Sequence, residues 1–226
     1  MERSLFTIRP YRRADRQAVR DICVATSWMG QYRPELIGDD WLWAEYWTRY
    51  FTDVEPRHSW VVEQACQAGR GAVVGYLTGT TDQHRAAGYA LRLLPGIVAH
   101  VIRRRRMRSA RFRAAAGSMV RSLLAGEMAL PPGLAARFPA TWHFNLLAEG
   151  RGRGLGRRLF ETFLQDMRSA GAGGVHAQSL SINAPVSRFC RAAGFRLVTS
   201  TPLHAFAHAC PEPIRLLTWT LPLPIA

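Results

Sequence analysis

Apolar positions along this chain recur at two spacings, and the spacing changes several times. Leu5, Phe6 and Ile8, closed by Pro10, read as a short strand. From Asp15 the period lengthens, with Val19, Ile22 and Cys23 three and four residues apart as on one helix face. Residues 40–50 carry Trp41, Trp43, Tyr46, Trp47 and Tyr50 and fit a helix that forms core and cleft wall. Strands are predicted over 59–63 and 72–80, joined by a glycine-containing hairpin turn at 67–71. Further along, 141–147 reads as a strand, 148–153 as a tight loop and 154–170 as a helix. In that helix Leu155, Leu159, Phe160, Phe163, Leu164 and Met167 share one face, with Arg157, Arg158, Glu161 and Arg168 off it. A strand at 175–180, a short helix at 185–193 with proline in its first turn, and strands at 195–200 and 214–221 complete the pattern.

Residues 88–137 break it. They hold ten arginines and one glutamate, including the run Arg103-Arg104-Arg105-Arg106, and Pro95, Pro131 and Pro132 divide them into short helical pieces. A segment this short and interrupted does not bury a core alone. The expectation is one domain over 1–226, carrying a basic helical insertion at about 88–137 between two strands of one sheet. No apolar run approaches the roughly 20 residues of a membrane span, and the N-terminus lacks an apolar signal region, so the expected compartment is the cytoplasm. Cys23, Cys66, Cys190 and Cys210 are scattered and read as free thiols.

All basic residues are arginine, and the formal charge is +14. The absence of lysine excludes a Walker-type phosphate loop, a pyridoxal Schiff base and a lysine nucleophile. The charge favours anionic ligands. The place for one is residues 146–156, Leu-Leu-Ala-Glu-Gly-Arg-Gly-Arg-Gly-Leu-Gly, between a strand and an amphipathic helix. Glycines at 150, 152, 154 and 156 leave backbone N–H groups unobstructed, and the helix start adds unpaired amides and a positive dipole end. Arg151, Arg153, Arg157 and Arg158 surround it with charge. The dinucleotide pattern G-x-G-x-x-G fails here, because its third glycine would fall on Leu155 or Arg157. The pattern R-x-x-G-x-G is met by Arg151, Gly154 and Gly156.

That pattern, after a strand and opening a helix, resembles the acyl-CoA loop of the GNAT superfamily of N-acetyltransferases. Residues 183–195 resemble a second motif of that family, N-x-x-A-x-x-F-Y-x-x-x-G-F. Asn183, Phe189, Gly194 and Phe195 match, Val186 replaces alanine, and Cys190 stands where tyrosine is usual. Residues 49–53, 75–82 and 138–156 look most like bacterial relatives of the acetyltransferase-like domain of O-GlcNAcases. The resemblance implies an α/β GNAT fold: a mixed, mostly antiparallel central sheet with a splayed parallel strand pair, and helices on both faces. It implies acetyl-CoA as acyl donor, an amine acceptor, and direct attack in a ternary complex.

Carried over residue by residue, the donor lies against the main chain of Asn145, Leu146 and Leu147. Its pyrophosphate is held by Arg151, Gly152, Arg153, Gly154, Leu155, Gly156 and Arg157. Asn183 holds it from the other strand's end, and Phe189 packs against it. For the proton leaving the amine the candidates are His143, whose ordinary pKa of about 6.5 suits a base, Asp82, and more weakly Glu63. Protonation of the leaving thiolate falls to Cys190 or to a water. No metal is expected, since His204, His208 and Cys210 lack a fourth partner. Alternatives are a catalytically silent coenzyme A binder, or a polyanion binder whose basic insertion contacts nucleic acid or an acidic protein; no reading motif for nucleic acid accompanies that insertion.

Overall fold

A computed structural model describes residues 5–66 and 69–224. Among the described residues seven strands form two sheets. In the first, β1 (Phe6–Pro10), β2 (Ser59–Cys66), β3 (Gly69–Thr80) and β4 (Thr141–Leu146) lie in that order, each antiparallel to the next. In the second, β7 (Ile214–Pro222) lies between β5 (Gly174–Leu180) and β6 (Arg196–Leu203). One parallel bridge joins the sheets: the Ala140 amide donates to Gly174 O at 3.2 Å, and the His176 amide donates to Ala140 O at 2.9 Å. Beyond it no further backbone bond links β4 to β5 among the described residues, so the two strands part.

Helices cover both faces. Between β1 and β2 lie α1 (Arg16–Ala25), α2 (Pro34–Ile37) and α3 (Asp40–Arg49). Between β3 and β4 lie α4 (Gln83–Arg103), α5 (Ala110–Leu124) and α6 (Leu134–Arg137). The helix α7 (Leu155–Ser169) connects β4 to β5, and α8 (Ala184–Ala192) connects β5 to β6. Strand alternation divides the core. Val62 and Leu77 point to the α7 side and meet Leu159, Phe160, Phe163 and Met167, while Val61 and Tyr76 point to the other side and meet Val19, Ile22 and Cys23 of α1. Fully burying each large apolar side chain is worth about 1.5–3 kcal/mol.

The helix starts follow from local chemistry. Asp39, Asp82, Ser109 and Asn183 cap α3, α4, α5 and α8 by accepting from an amide three residues on, at 2.9 to 3.3 Å. No side chain caps α7, which starts at Gly154 in the left-handed region; α1, α2 and α6 also start without a side-chain cap.

Several elements differ from the sequence expectation. Part of the 67–71 turn lies outside the described residues. The first of the short helical pieces expected from 88 onward is instead a 21-residue helix that starts at Gln83 and runs through Pro95, while the remainder is divided into α5 and α6. Proline removes one amide and strands the carbonyl of Leu91, and both residues are exposed, so water can satisfy what the ring leaves open. The apolar spacing did not reveal α2. The arm formed by α4 and α5 is anchored at two carboxylates. Buried Asp39 takes Leu42 N, His100 and Arg106. Buried Glu127 takes Ser122 Oγ and both the amide and ring of His204. Burial alone would raise Glu127, but these donors outweigh it and hold the carboxyl at about 2.

Candidate functional site

Where β4 and β5 diverge, β4 presents an unpaired edge. Ala140 points its peptide groups at β5, and the Leu147 amide points the opposite way, donating to Val74 O at 2.8 Å. With no register break along β4, residues alternate, and the main chains of Trp142, Phe144 and Leu146 face the gap. Leu146 therefore turns its peptide groups to the gap, whereas Asn145 and Leu147 direct theirs toward β3. The edge residues missed by sequence reasoning are Trp142 and Phe144, and the parity of β4 was the signal that could have found them.

The chain then makes one turn at 148–150 and enters the glycine loop. Gly152 and Gly154 have φ of +71° and +72°, and an added Cβ at either would meet nothing within 4 Å. Glycine is required there by conformation, not by crowding. No hydrogen bond within the protein ends on the amides of residues 152–157 among the described residues. Six consecutive N–H groups at an uncapped helix start thus remain open, which fits a phosphate or pyrophosphate. The arginines between them behave differently from expectation. Arg151 folds back, donating from Nε to Leu146 O at 2.9 Å and from a terminal nitrogen to Gly30 O at 2.8 Å. Arg153 donates to Glu149 O at 2.9 Å and lies over the Phe6 ring, and Arg157 pairs with Glu161 at 2.8 Å. They brace the loop, while the backbone carries the open donors. Gly30, whose turn meets Arg151, has φ +87°, and a Cβ there would reach the guanidinium at 2.7 Å.

Leu155 roots the loop in the core, and Gly156 passes close to Phe144, where a Cβ would approach its ring at 3.3 Å. On the opposite wall Asn183 accepts from the Val186 amide through Oδ1, and its Nδ2 has no partner among the described residues. Phe189 packs on Phe144 and Phe160 at centroid distances of 5.7 and 5.3 Å. Both residues therefore lie where α8 borders the gap.

The odd positions of β4 face away from α7. His143 stacks against Trp47 at 4.9 Å, and its Nδ1 lies 3.2 Å from the Tyr76 hydroxyl, to which Asn145 donates at 2.9 Å. Burial lowers His143 to about 4, so the imidazole is neutral at pH 7 and a much weaker base than its ordinary pKa implies. The same burial, with Cys23 beside it, raises Tyr76 well above the phenol range. Tyr76 and Trp47 complete this cluster; the Trp-rich pattern of α3 signalled the second and nothing in the sequence signalled the first.

The other proposed catalytic groups are not brought to this place. Asp82 is the exposed cap of α4 and accepts from the Arg85 amide at 3.0 Å, at the far end of β3 from the glycine loop. Glu63 pairs with Arg9 on β1. Cys190 corrects the sequence reading most clearly: it is 0% exposed in the α7-side core, and burial pushes its thiol up to about 11. A sealed, weakly acidic thiol is not a proton donor to an open cleft. His204 and His208 go to separate partners, Glu127 and Glu35 O, and among the described residues no group of three or more His, Cys, Asp or Glu could hold a metal.

Two surface grooves lie away from the gap. One, of about 750 Å³, separates α1 from α3 and is lined by charges already paired with each other, such as Arg20 with Glu45 at 2.6 Å. The other, of about 460 Å³, lies between β1, β2 and α7.

No protein-family profile matches the chain, and no curated protein matches it significantly in sequence. Solved structures do. The protein named SsHAT is 29% identical, with a TM-score of 0.67 over 95% of this chain and 98% of that one. A GCN5-related N-acetyltransferase from Kribbella flavida is 19% identical, with a TM-score of 0.55 over 97% and 98%. The protein yncA from Salmonella typhimurium, solved with its cofactor acetyl-CoA, is 17% identical, with a TM-score of 0.56 over 99% and 96%. The divergent strands, the open loop after β4 and these likenesses together give the chain the fold of the GCN5-related N-acetyltransferases.

Proposed function

We propose that this protein transfers an acetyl group from acetyl-CoA to a primary amine by direct attack in a ternary complex. The observation that carries the reading is the run of open amides at 152–157, placed where two parallel strands separate. The donor supplies an activated thioester: the amine nitrogen bonds to the carbonyl carbon, the C–S bond breaks, and the thiolate leaves with a proton from water. The chain's own part is positioning. Amides 152–157 hold the pyrophosphate, the Phe144 and Leu146 edge aligns the arm, and Asn183 and Phe189 close the α8 side. His143, neutral and bracketed by Tyr76 and Asn145, orients a polar group at the cleft wall, and the amine's proton leaves through solvent. The narrower placement beside bacterial relatives of the O-GlcNAcase-linked domain rests on residues 49–53, 75–82 and 138–156. The insertion forms part of this single domain.

A catalytically silent coenzyme A binder is the second reading, and the burial of Cys190 with the depressed His143 favours it. Calorimetry and thiol release separate the two. Acetyl-CoA should bind and raise the melting temperature, and thiol should appear when amines are added. Gly154→Val, which forces a branched residue into φ +72°, should weaken donor binding about five- to thirtyfold, because αL geometry costs a side chain about 1–2 kcal/mol. Binding without thiol release across a broad amine panel would select the silent reading. Absence of binding by folded protein would remove both.

A further inference from the structure

The helix α4 is apolar on two sides. Leu93 and His100 are buried against the body, with His100 stacked on Trp41 at 4.3 Å. On the outer side Leu91, Leu94, Val98 and Ile102 are 69, 51, 54 and 71% exposed. Their spacing of three, four and four residues makes one continuous stripe over three turns, and exposed Pro95 lies beside it. Arg85, Arg92 and Arg103, also exposed and spaced seven and eleven apart, follow one margin of that stripe. Past the helix end come Arg104, Arg105 and Arg108. Among the described residues none of Arg103, Arg104, Arg105 and Arg108 has a side-chain hydrogen bond or carboxylate partner. Residues 83–137 hold a single carboxylate, Glu127, and it is buried and committed to Ser122 and His204.

The occupant follows from these two properties together. A second copy would bury the stripe but offer the arginines no partner, because residues 83–137 hold no carboxylate besides the committed Glu127. Nucleic acid would take the arginines and leave the stripe in water. An anionic bilayer surface takes both, with acyl chains against the stripe and headgroup phosphates against the guanidinium groups. Among the described residues no helix is long and apolar enough to cross a membrane, so the contact is a helix lying flat. We infer that the outer face of α4, with Arg103, Arg104, Arg105 and Arg108, is a docking surface for an anionic lipid bilayer. The inference is independent of acyl transfer.

Flotation with vesicles tests it. The protein should float with vesicles of equal parts phosphatidylglycerol and phosphatidylcholine, and stay behind with phosphatidylcholine alone. The double variant Leu94→Asp and Ile102→Asp, whose positions are solvent-exposed, should keep its circular dichroism and lose vesicle partition at least about tenfold. The quadruple change of Arg103, Arg104, Arg105 and Arg108 to Ser should lose it as well. Wild-type protein that ignores anionic vesicles would overturn the inference, and retained DNA binding in that case would reassign the patch to nucleic acid. Flotation indifferent to the two aspartates would also overturn it, leaving charge attraction alone. So would a wild-type dimer, seen by light scattering, that the aspartates dissolve.

Discussion

The glycine loop after β4 and the arm built by α4 and α5 are both rich in arginine, yet they hold it in opposite ways. In the loop Arg151, Arg153 and Arg157 spend their donors on Leu146 O, Gly30 O, Glu149 O and Glu161, and the six amides between them stay open. In the arm Arg103, Arg104, Arg105 and Arg108 stay open, and backbone amides are satisfied within helices. The loop is thus shaped for one small, multiply charged ligand approached at short range by fixed dipoles. The arm suits a broad anionic surface met by long, mobile side chains. Counting arginines does not separate these uses; asking where each guanidinium already points does.

The sharpest way to test that contrast is to delete apolar mass from each region. Phe163 is fully buried where α7 meets the sheet, whereas Leu91 projects from α4. Phe163→Ala should cost about 3–5 kcal/mol by cavity formation, and Leu91→Ala should stay within about 0.5 kcal/mol, both read by urea denaturation. Equal losses would mean that the stripe on α4 is covered in the protein in solution.

The next effect concerns the cluster opposite α7. His143 has its pKa lowered to about 4 in the folded protein, against about 6.5 unfolded. Above pH 6.5 both states are neutral and the group contributes nothing. Between about 6.5 and 4 the unfolded chain takes a proton that the folded one refuses, so stability is lost as the pH is lowered. The slope is at most about 1.4 kcal/mol per pH unit, with a total near 3 kcal/mol. His143→Gln should flatten that part of the curve relative to wild type. In the proposed acyl-transfer reaction, a rate inflection near 6.5 that disappears in the same variant would show that His143 titrates as an ordinary base and that its burial is not maintained.

Most of this architecture could be read from apolar spacing, because each core-facing stripe lies on a single element. Leu155, Leu159, Phe160, Phe163 and Met167 mark α7, and Val19, Ile22 and Cys23 mark α1. The open loop was legible for a related reason: glycine at 152 and 154 states a backbone requirement directly. What escaped depended on tertiary contact. That Cys190 points into the core, that Asp82 serves as a cap, and that His143 sits between Trp47 and Tyr76 are set by elements far apart in the chain. The continuity of α4 through Pro95 escaped because a solvent-facing carbonyl tolerates losing its partner, and sequence does not say which carbonyls face solvent.

The smallest test compares two single arginines of the same charge. Arg151 is exposed but donates twice, to Leu146 O and Gly30 O, and so ties the 28–31 turn to the glycine loop. Arg104 is exposed with no side-chain partner among the described residues. Arg151→Ala should cost about 1 kcal/mol, the net worth of such bonds at a solvated site. It should weaken donor binding mainly by loosening the loop, so Arg151→Lys, which keeps the charge and loses the fork, should restore little. Arg104→Ala should change neither stability nor donor affinity measurably. It should instead lower the salt dependence of vesicle binding, since one unpaired cation is removed from the arm. If lysine at 151 restored full donor affinity, charge would matter there more than bracing, and the two arginine clusters would differ only in position.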